Sequence, residues 1–538
     1  MPCRYTEAHE QDRVLPITPE NQIVVQHDGH SHEQTRNNQH TPFINKRVIN
    51  KNEKKHGWSQ EELETSYWIN DAEKTLKKKL ENKINTNKAK NIIFYLGDGM
   101  SIPTLTAARI YQGQLEGKSG EEGQLFWEQF PYSGLSKTWC LDKQVADSAC
   151  TSTAYMCGVK TKYATLGING HVEFGVCSTQ LNKTNHVNSI LKLAQDQGRS
   201  AGIVTTMRVT HASPAGAYAH SAHRDWESDH DIKKYLKENY TQECMDIATQ
   251  LITQDPGNKF SVIMGGGRQK FLPNGTMDEE NREGQRQDNI NLIKEWKKDK
   301  ANRGLNYLYG WNKAMIDEIN RHPERYDSVL GLFESTNMKF HLEASPNTEP
   351  TLTEMTEAAI KILSKNKEGF VLFVEGGLID HAHHSNYATI ALDETVEFAK
   401  AVKAGYEATS QDDTLIVVTA DHSHTMSIAG YPKRGNKIQG INFNEDGLPY
   451  STLNYAIGPG YKQSNEHITQ NETDNIRFKF PSLIKRKEGT HGGDDVAIFS
   501  SGPWAHLFTG SIEQSLIPHL LAHAACLTPD SHCSNIST

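Results

Sequence analysis

The sequence predicts an α/β fold: a large central, mostly parallel sheet with helices on both faces, carrying a small inserted subdomain. Three observations predict it. Apolar runs of strand length recur at Asn91–Leu96, Phe370–Val374 and Thr414–Ala420, the pattern of strands buried on both faces. Helical-length segments alternate with such runs, as parallel strands require. At 538 residues and 60.4 kDa the chain can bury so large a core, as one domain with insertions or as two to four smaller ones.

Taken in order, residues 1–56 are rich in Gln, Asn, Glu and His with little to bury, and read as a disordered polar tail. They contain no apolar stretch of the kind a signal peptide needs. Order is expected from Trp58, where Ser59-Gln-Glu-Glu62 makes a capping box and Trp58 and Leu63 take staple positions. The helix that follows should run with interruptions to about Asn85, its lysines forming a solvated face. The first buried strand ends in Gly97-Asp98-Gly99, and a helix around Thr104–Tyr111 follows Pro103. A dinucleotide fingerprint is a poor fit, because a third glycine is missing after Gly99.

Asp147-Ser148-Ala149 opens a helix, Cys150 to Cys157, stopped by Gly158. Ser148 there would face helix N–H groups that favour a phosphate, unless Asp147 or Ser148 is simply the N-cap, the better reading of that stretch alone. Next come a helix (His186–Gln197), a strand (Ala201–Thr206), a helix near Thr241–Thr253 and a strand (Phe260–Met264) running into Gly265-Gly-Gly267. The stretch after it reads as polar and peripheral up to a helix Leu352–Ser364. A helix Tyr387–Ala404 follows the second apolar run. From about Gly430 to Lys487 periodicity is lost, as in an inserted subdomain; strand Val496–Ser500 and helix Ile512–Ala524 close the core. The domain boundaries expected are 57–429 and 489–533 for the main domain, 430–488 for the insert and 534–538 for a tail.

The chemistry gathers at strand ends. Beyond Val374 come Glu375, two glycines and then Asp380-His-Ala-His383-His384; on a helical turn Asp380 and His384 share one face. Beyond Leu96 comes Asp98, and beyond Thr419 come Asp421, His422 and His424. His491 precedes a further strand. A mixed carboxylate and imidazole set at the carboxyl edge of a parallel sheet suits hydrolytic divalent cations rather than a structural cysteine site. A formal charge of −9 argues against nucleic acid or an anionic membrane as partner, so an anionic substrate needs local cations. Mean hydropathy of −0.65 reads as soluble, and nothing in the chain approaches a membrane span or a lipid-anchor tail. Eight cysteines fit either redox compartment, while sequons at Asn182, Asn239, Asn274, Asn471 and Asn535 would matter in a secreted chain.

In order along the chain, Leu96-Gly-Asp98-Gly-Met100, Asp147-Ser148-Ala149, His211-Ala-Ser213-Pro-Ala-Gly216, Val374-Glu375-Gly-Gly-x-Ile-Asp380-His-x-His-His384, Thr419-Ala-Asp421-His422-Ser-His424 and Thr490-His491-Gly-Gly-x-Asp495 resemble the motifs of the animal alkaline phosphatases, over about Trp58 to Cys533. The resemblance implies a phosphomonoesterase acting through a phosphoserine at a site of two zinc ions and one magnesium. It implies Asp380, His384 and His491 for the first zinc, Asp421 and His422 for the second, and Asp98 reaching towards a magnesium completed by Ser213 and Glu375. His211 would reach that magnesium through water. Ser148 would be the nucleophile and Arg224 the clamp on two phosphoryl oxygens.

It further implies a peripheral calcium with candidates Glu280, Phe333 (through its carbonyl), Glu334 and Glu349, disulfides Cys177–Cys244 and Cys526–Cys533, a crown insert at 430–488, and a homodimer to which crown and amino-terminal helix contribute. Phosphate monoesters, small or macromolecular, are the implied partners. An extracellular or cell-surface place follows from the family, although without a visible signal or anchor a soluble intracellular form is equally compatible with the chain. Several positions depart from the pattern. Glu349 stands where the family often has Asp, Ser101 where it has glycine, Leu378 where animal enzymes often have arginine, and Cys150 replaces a glycine, putting bulk and a thiol near Ser148. The rival readings are a superfamily member acting on diesters, sulfates or phosphosugars, and a non-catalytic metal-binding relative. Arg224 with His211 and Ser213 argues against the first, and Ser148 with Arg224 against the second.

Overall fold

In the computed structural model the described residues are 58–237, 244–462 and 467–528; the expected tails, Asn239, Asn535 and Cys533 lie outside them. A ten-stranded sheet organises the chain. Its strands include β1 (Asn91–Gly97), β2 (Tyr132–Lys137), β3 (Ser200–Arg208), β4 (Val262–Gly266), β5 (Tyr307–Gly310), β6 (Ser328–Leu332), β7 (Phe370–Gly376) and β8 (Thr414–Ala420). The spatial order is Gly510–Glu513, β2, Val496–Ser501, β8, β1, β7, β3, β4, β6, β5. From β8 to β5 every pairing is parallel; Val496–Ser501 runs antiparallel to β8 and to β2.

Each central strand carries a continuous apolar run because it feeds two cores. Ile93 and Tyr95 of β1, Leu372 and Val374 of β7, and Ile416 and Val418 of β8 enter one cluster. Ile92, Phe94 and Leu96, Val371 and Phe373, and Leu415 and Val417 enter the other. That period of two assigns alternate side chains to opposite faces. Truncating a residue such as Phe373 would cost about 3–5 kcal/mol. On one face lie α2 (Ile102–Leu115, after α1, Thr65–Leu80) and the helices Leu352–Leu363 and Ala388–Glu407. On the other lie α3 (Ser148–Cys157) and the helices Ile190–Asp196, Ile247–Thr253, Leu292–Asn302 and Ile517–Ala525.

Several boundaries differ from expectation. The capping box holds, Ser59 N–H donating to Glu62 (2.6 Å) and Glu62 N–H to Ser59 Oγ (3.3 Å), but a 3-10 turn follows it and α1 stops at Leu80. The stretch read as peripheral supplies β5 and β6, the latter buried along its whole length; Ser328-Val-Leu-Gly-Leu332 is too short a run to stand out among polar neighbours. Part of the expected last helix is the edge strand Gly510–Glu513, and β2, exposed or half-buried at every residue but Ser136, carries no apolar run. Ser101, the departure from glycine, caps α2 by accepting from Thr104 N–H.

Residues 430–488 carry a hairpin (Ile441–Phe443 with Pro449–Ser451). Two more strands there, Leu453–Gly458 and Ser482–Lys485, pair with each other, and the first also pairs with Met426–Ile428. They fold back onto the helix Leu378–His384 and the turn after it: Tyr455 Oη meets His383 Nδ1 at 2.8 Å, and Asn386 Nδ2 donates to the Phe480 carbonyl. Among the described residues no helix is long and apolar enough to cross a membrane.

Candidate active site

Three neighbouring strands, β7, β1 and β8, release their ligand-type residues at one edge. The register aligns Leu96 with both Glu375 and Thr419, so the residues that follow emerge side by side. Asp98 and Asp421, just beyond β1 and β8, are fully buried, as is Glu375. Gly99 turns the chain with φ +65°; a Cβ there would lie 2.6 Å from His424 Cδ2, so only glycine fits this approach. Its N–H donates to Asp421 Oδ1 at 2.9 Å.

Among the described residues, four groups of side chains converge so that their ligand atoms lie within 4.8 Å of one another. One is Asp380, His384, His424 and His491; a second is Asp98, Asp421 and His422; a third is Asp98, His211 and Glu375. The fourth, Cys140, Asp147 and Cys150, lies beside Ser148. The helix Leu378–His384 places Asp380 and His384 on one face, 3.2 Å apart, as the spacing predicts. His384 donates Nδ1–H to the Gly489 carbonyl and His491 donates Nδ1–H to the Ala146 carbonyl, each at 2.7 Å. Both therefore aim Nε2 into the pocket, where the two nitrogens meet at 3.1 Å. His422 Nε2 lies 3.1 Å from Asp421, 3.5 Å from Asp98 and 3.2 Å from Ser148 Oγ. Ser213 Oγ donates to Asp98 at 3.4 Å, and Thr205 Oγ1 to Glu375 Oε2 at 2.5 Å.

The pocket's electrostatics call for cations. Burial, joined by the charges of Asp421, Asp380 and Glu375, pushes the Asp98 carboxyl well up. Burial also lifts Glu375 to about 7 and Asp421 to about 6. Burial opposes ionisation of Asp380 as well, yet His384 and His424 hold it well below the usual range. Burial disfavours a proton on His384, but Asp380 overrides it and raises the imidazole to about 9. Asp98 Oδ1, Glu375 Oε1, Asp421 Oδ2 and His211 Nδ1 are buried without a hydrogen-bond partner. Orphaned acceptors on crowded carboxylates fit divalent cations, which would relieve both the repulsion and the unmet bonding.

Asp147 is the N-cap of α3. Its carboxylate accepts from Ala149 N–H (3.2 Å) and Cys150 N–H (3.3 Å), so those donors are already used. It also accepts from Ala164 N–H and pairs with Arg224 Nη1, both at 2.9 Å. Arg224 Nη2 in turn donates to His211 Nε2 at 3.1 Å; burial, then Arg224 and Arg208, keep that imidazole neutral. Ser148 is buried at the first position of α3. A 540 Å³ cavity is bounded by Val145, Ala146, Tyr163, His384 and His491.

The calcium candidates are not gathered in this way. Glu334 and Glu349 both approach Lys339, at 2.8 and 3.5 Å, Glu280 pairs with Arg268, and Phe333 is buried. Among the described residues these carboxylates form no convergent group. One correction concerns a cysteine. Cys150 offers no thiol to the site, because it is bonded to Cys140; the second half-cystine stood ten residues earlier without a motif to mark it. Cys177–Cys244 is present as the resemblance implied, and Cys526 is disulfide-bonded. Sequence reasoning gave no role to His424, whose Nε2 lies 2.5 Å from Asp380 Oδ1, nor to Thr205. His424's place two residues beyond His422 was the available signal.

An alkaline phosphatase family model matches residues 89–527. The chain is 44% identical over 492 residues to the membrane-bound alkaline phosphatase of Bombyx mori, covering 89% of each. It is 43% identical to the tissue-nonspecific isozyme of alkaline phosphatase from Homo sapiens, covering 89% of this chain and 92% of that one. The solved alkaline phosphatase of the Antarctic bacterium TAB5 shares the fold at TM-score 0.57 and 20% identity, over 82% of this chain and all of that one.

Proposed function

Since the chain belongs to the alkaline phosphatase family and is a phosphoric monoester hydrolase, we propose that it works through a phosphoserine on Ser148 at a site of two zinc ions and one magnesium. Asp380, His384 and His491 would hold one zinc, Asp421 and His422 the other, and Asp98, Ser213 and Glu375 the magnesium, with His211 near it. Bound there, these cations supply charge that favours an ionised serine hydroxyl and an ionised water and that neutralises the phosphoryl oxygens. The chain's own part is positioning. Asp147 fixes the first turn of α3, so Ser148 Oγ points at the metal-facing nitrogen of His422. The same carboxylate holds Arg224, whose planar fork suits two phosphoryl oxygens. His384 and His491 are kept as Nε2 donors of a lone pair by the carbonyls behind them. Little of the alcohol needs recognition, so many monoesters should serve.

The observation that carries this reading is Ser148 Oγ lying 3.2 Å from His422 Nε2 beside orphaned carboxylate oxygens. The test is Ser148→Ala, assayed with an aryl phosphate alongside metal analysis. We expect no phosphoenzyme and zinc content near wild type; wild-type turnover would remove Ser148 from the mechanism.

We further propose a homodimer built with residues 430–488 as a crown insert and with α1, whose Trp68, Ile69, Leu76 and Leu80 are exposed; sedimentation of the purified chain as a monomer would refute it. An extracellular or cell-surface place is supported by the disulfides and by exposed sequons at Asn182, Asn274 and Asn471; absence of glycans on the native protein counts against it. A peripheral calcium on Glu280, Phe333, Glu334 and Glu349 would have to displace Lys339 and Arg268 from the carboxylates, which calcium analysis would test.

A further inference from the structure

Three parts of the proposed machinery are aimed from one short covalent ring. Cys140 and Cys150, both buried, close it, with Cα atoms 5.7 Å apart. Inside the ring, the Ala146 carbonyl accepts from His491 Nδ1–H at 2.7 Å and so fixes which nitrogen His491 presents. Asp147, the next residue, caps α3 and holds Arg224 at 2.9 Å. Ser148 follows. The bridge lies against the middle of these groups: Cys140 Sγ is 3.7 Å from Asp147 Oδ1, and Cys150 Sγ is 3.4 Å from the Asp147 carbonyl oxygen.

We propose that the Cys140–Cys150 disulfide is a positioning element of the phosphatase reaction, holding Arg224 in register through Asp147. The proposal rests on the role given above to Arg224. Without the bridge, Asp147 keeps its bonds to Ala164 and to the start of α3, and Leu141 N–H still donates to the Thr161 carbonyl. What is lost is the covalent tie between the loop and the first turn of the nucleophile helix, so the guanidinium gains freedom it lacked. Loosening a group that orients a metal ligand or a reacting side chain typically lowers activity by about ten- to a hundredfold; with the other bonds intact, the low end is expected.

The test compares the full-length, zinc- and magnesium-loaded wild type with Cys140→Ala/Cys150→Ala, each also made with Arg224→Ala. We expect unchanged zinc content, kcat/KM lower by about tenfold, and weaker inhibition by inorganic phosphate by a similar factor. With Arg224→Ala present, removing the bridge should change kcat/KM by less than about threefold, since the group it positions is gone. Wild-type kinetics in the bridge variant would overturn the proposal. So would an undiminished tenfold loss in the Arg224→Ala background, because a general weakening of the fold does not depend on the arginine.

If the variant fails to fold, folded wild type is reduced with dithiothreitol. Its two thiols close to a cyclic disulfide while two electrons and two protons convert the bridge to two thiols. Activity should fall as mass spectrometry reports Cys140 and Cys150 opening, and return on reoxidation with glutathione disulfide. A loss that follows Cys177–Cys244 instead would overturn it. Failure of Ser148→Ala to abolish the phosphoenzyme would sink the site assignment; wild-type kinetics in the bridge variant would sink only this proposal.

Discussion

His424 offers the sharpest check on how the first metal group is held. Its Nε2–H donates to Asp380 Oδ1 at 2.5 Å with both side chains buried, and burial above all lowers the imidazole to about 4, so it is neutral in use. The bond fixes one oxygen of the Asp380 carboxylate, which reaches both His384 and His491. A hydrogen bond to a charged acceptor contributes about 1.5–3 kcal/mol. At about 1.4 kcal/mol per decade, His424→Ala should weaken zinc retention by roughly 10- to 150-fold. The assay is zinc loss to a competing chelator, followed by recovery of phosphatase activity in excess zinc. His424→Phe keeps the ring volume without the donor and should lose zinc to the same extent. Wild-type retention in the Phe variant, with loss only in the Ala variant, would show that packing and not the hydrogen bond is at work.

Arg224→Lys removes the fork that spans Asp147 and His211 and should lower kcat/KM by about 10- to 150-fold, with much weaker phosphate inhibition; unchanged phosphate inhibition would refute the clamp. Thr205→Val strips Glu375 of its hydroxyl donor and should raise the magnesium needed for half-maximal activity by about 10- to 100-fold, read by titrating zinc-loaded protein. Glu394 is buried on the helix Ala388–Glu407. Burial first, then the charges of Asp393 and Glu397, lift it from 4.5 to about 8 against a hydrogen bond from His341 N–H. The unfolded chain therefore ionises earlier than the fold, so stability falls between those two pH values and is level above them. Glu394→Gln should abolish that fall and stabilise the protein at about pH 9 by up to a few kcal/mol; thermal unfolding at about pH 5 and about pH 9 with the same slope in both proteins would refute it.

What the sequence made legible follows from periodicity and burial. β1, β7 and β8 each carry a continuous apolar run because they pack on two faces, so they stood out, and the ligand-type residues at their ends stood out with them. β2, β5 and β6 lie towards the sheet margins, where short or alternating runs resemble loops. Among the proposed site residues, Asp98, Glu375, Asp380, His384, Asp421 and His422 were visible as candidates because they lie at or soon after the ends of those strands, Ser148 because it opens α3, and His491 because it precedes Val496–Ser501. Thr205, His424 and the Cys140–Cys150 bridge act on those groups from residues whose types carry no signal alone. Their importance exists only once distant segments are adjacent.

Neighbouring strands in any sheet stand about 4.7–4.9 Å apart, and two cations that share a phosphoryl transfer work at about 3.5–4 Å. Because β7, β1 and β8 are immediate neighbours, the distance between strands is the ruler that would set the spacing of ions held at their ends. Length can then be added between rails, as residues 430–488 are, or along the outer strands, without disturbing that measure. Inserting one residue inside β1 would turn Asp98 to the opposite face and break the spacing at a stroke.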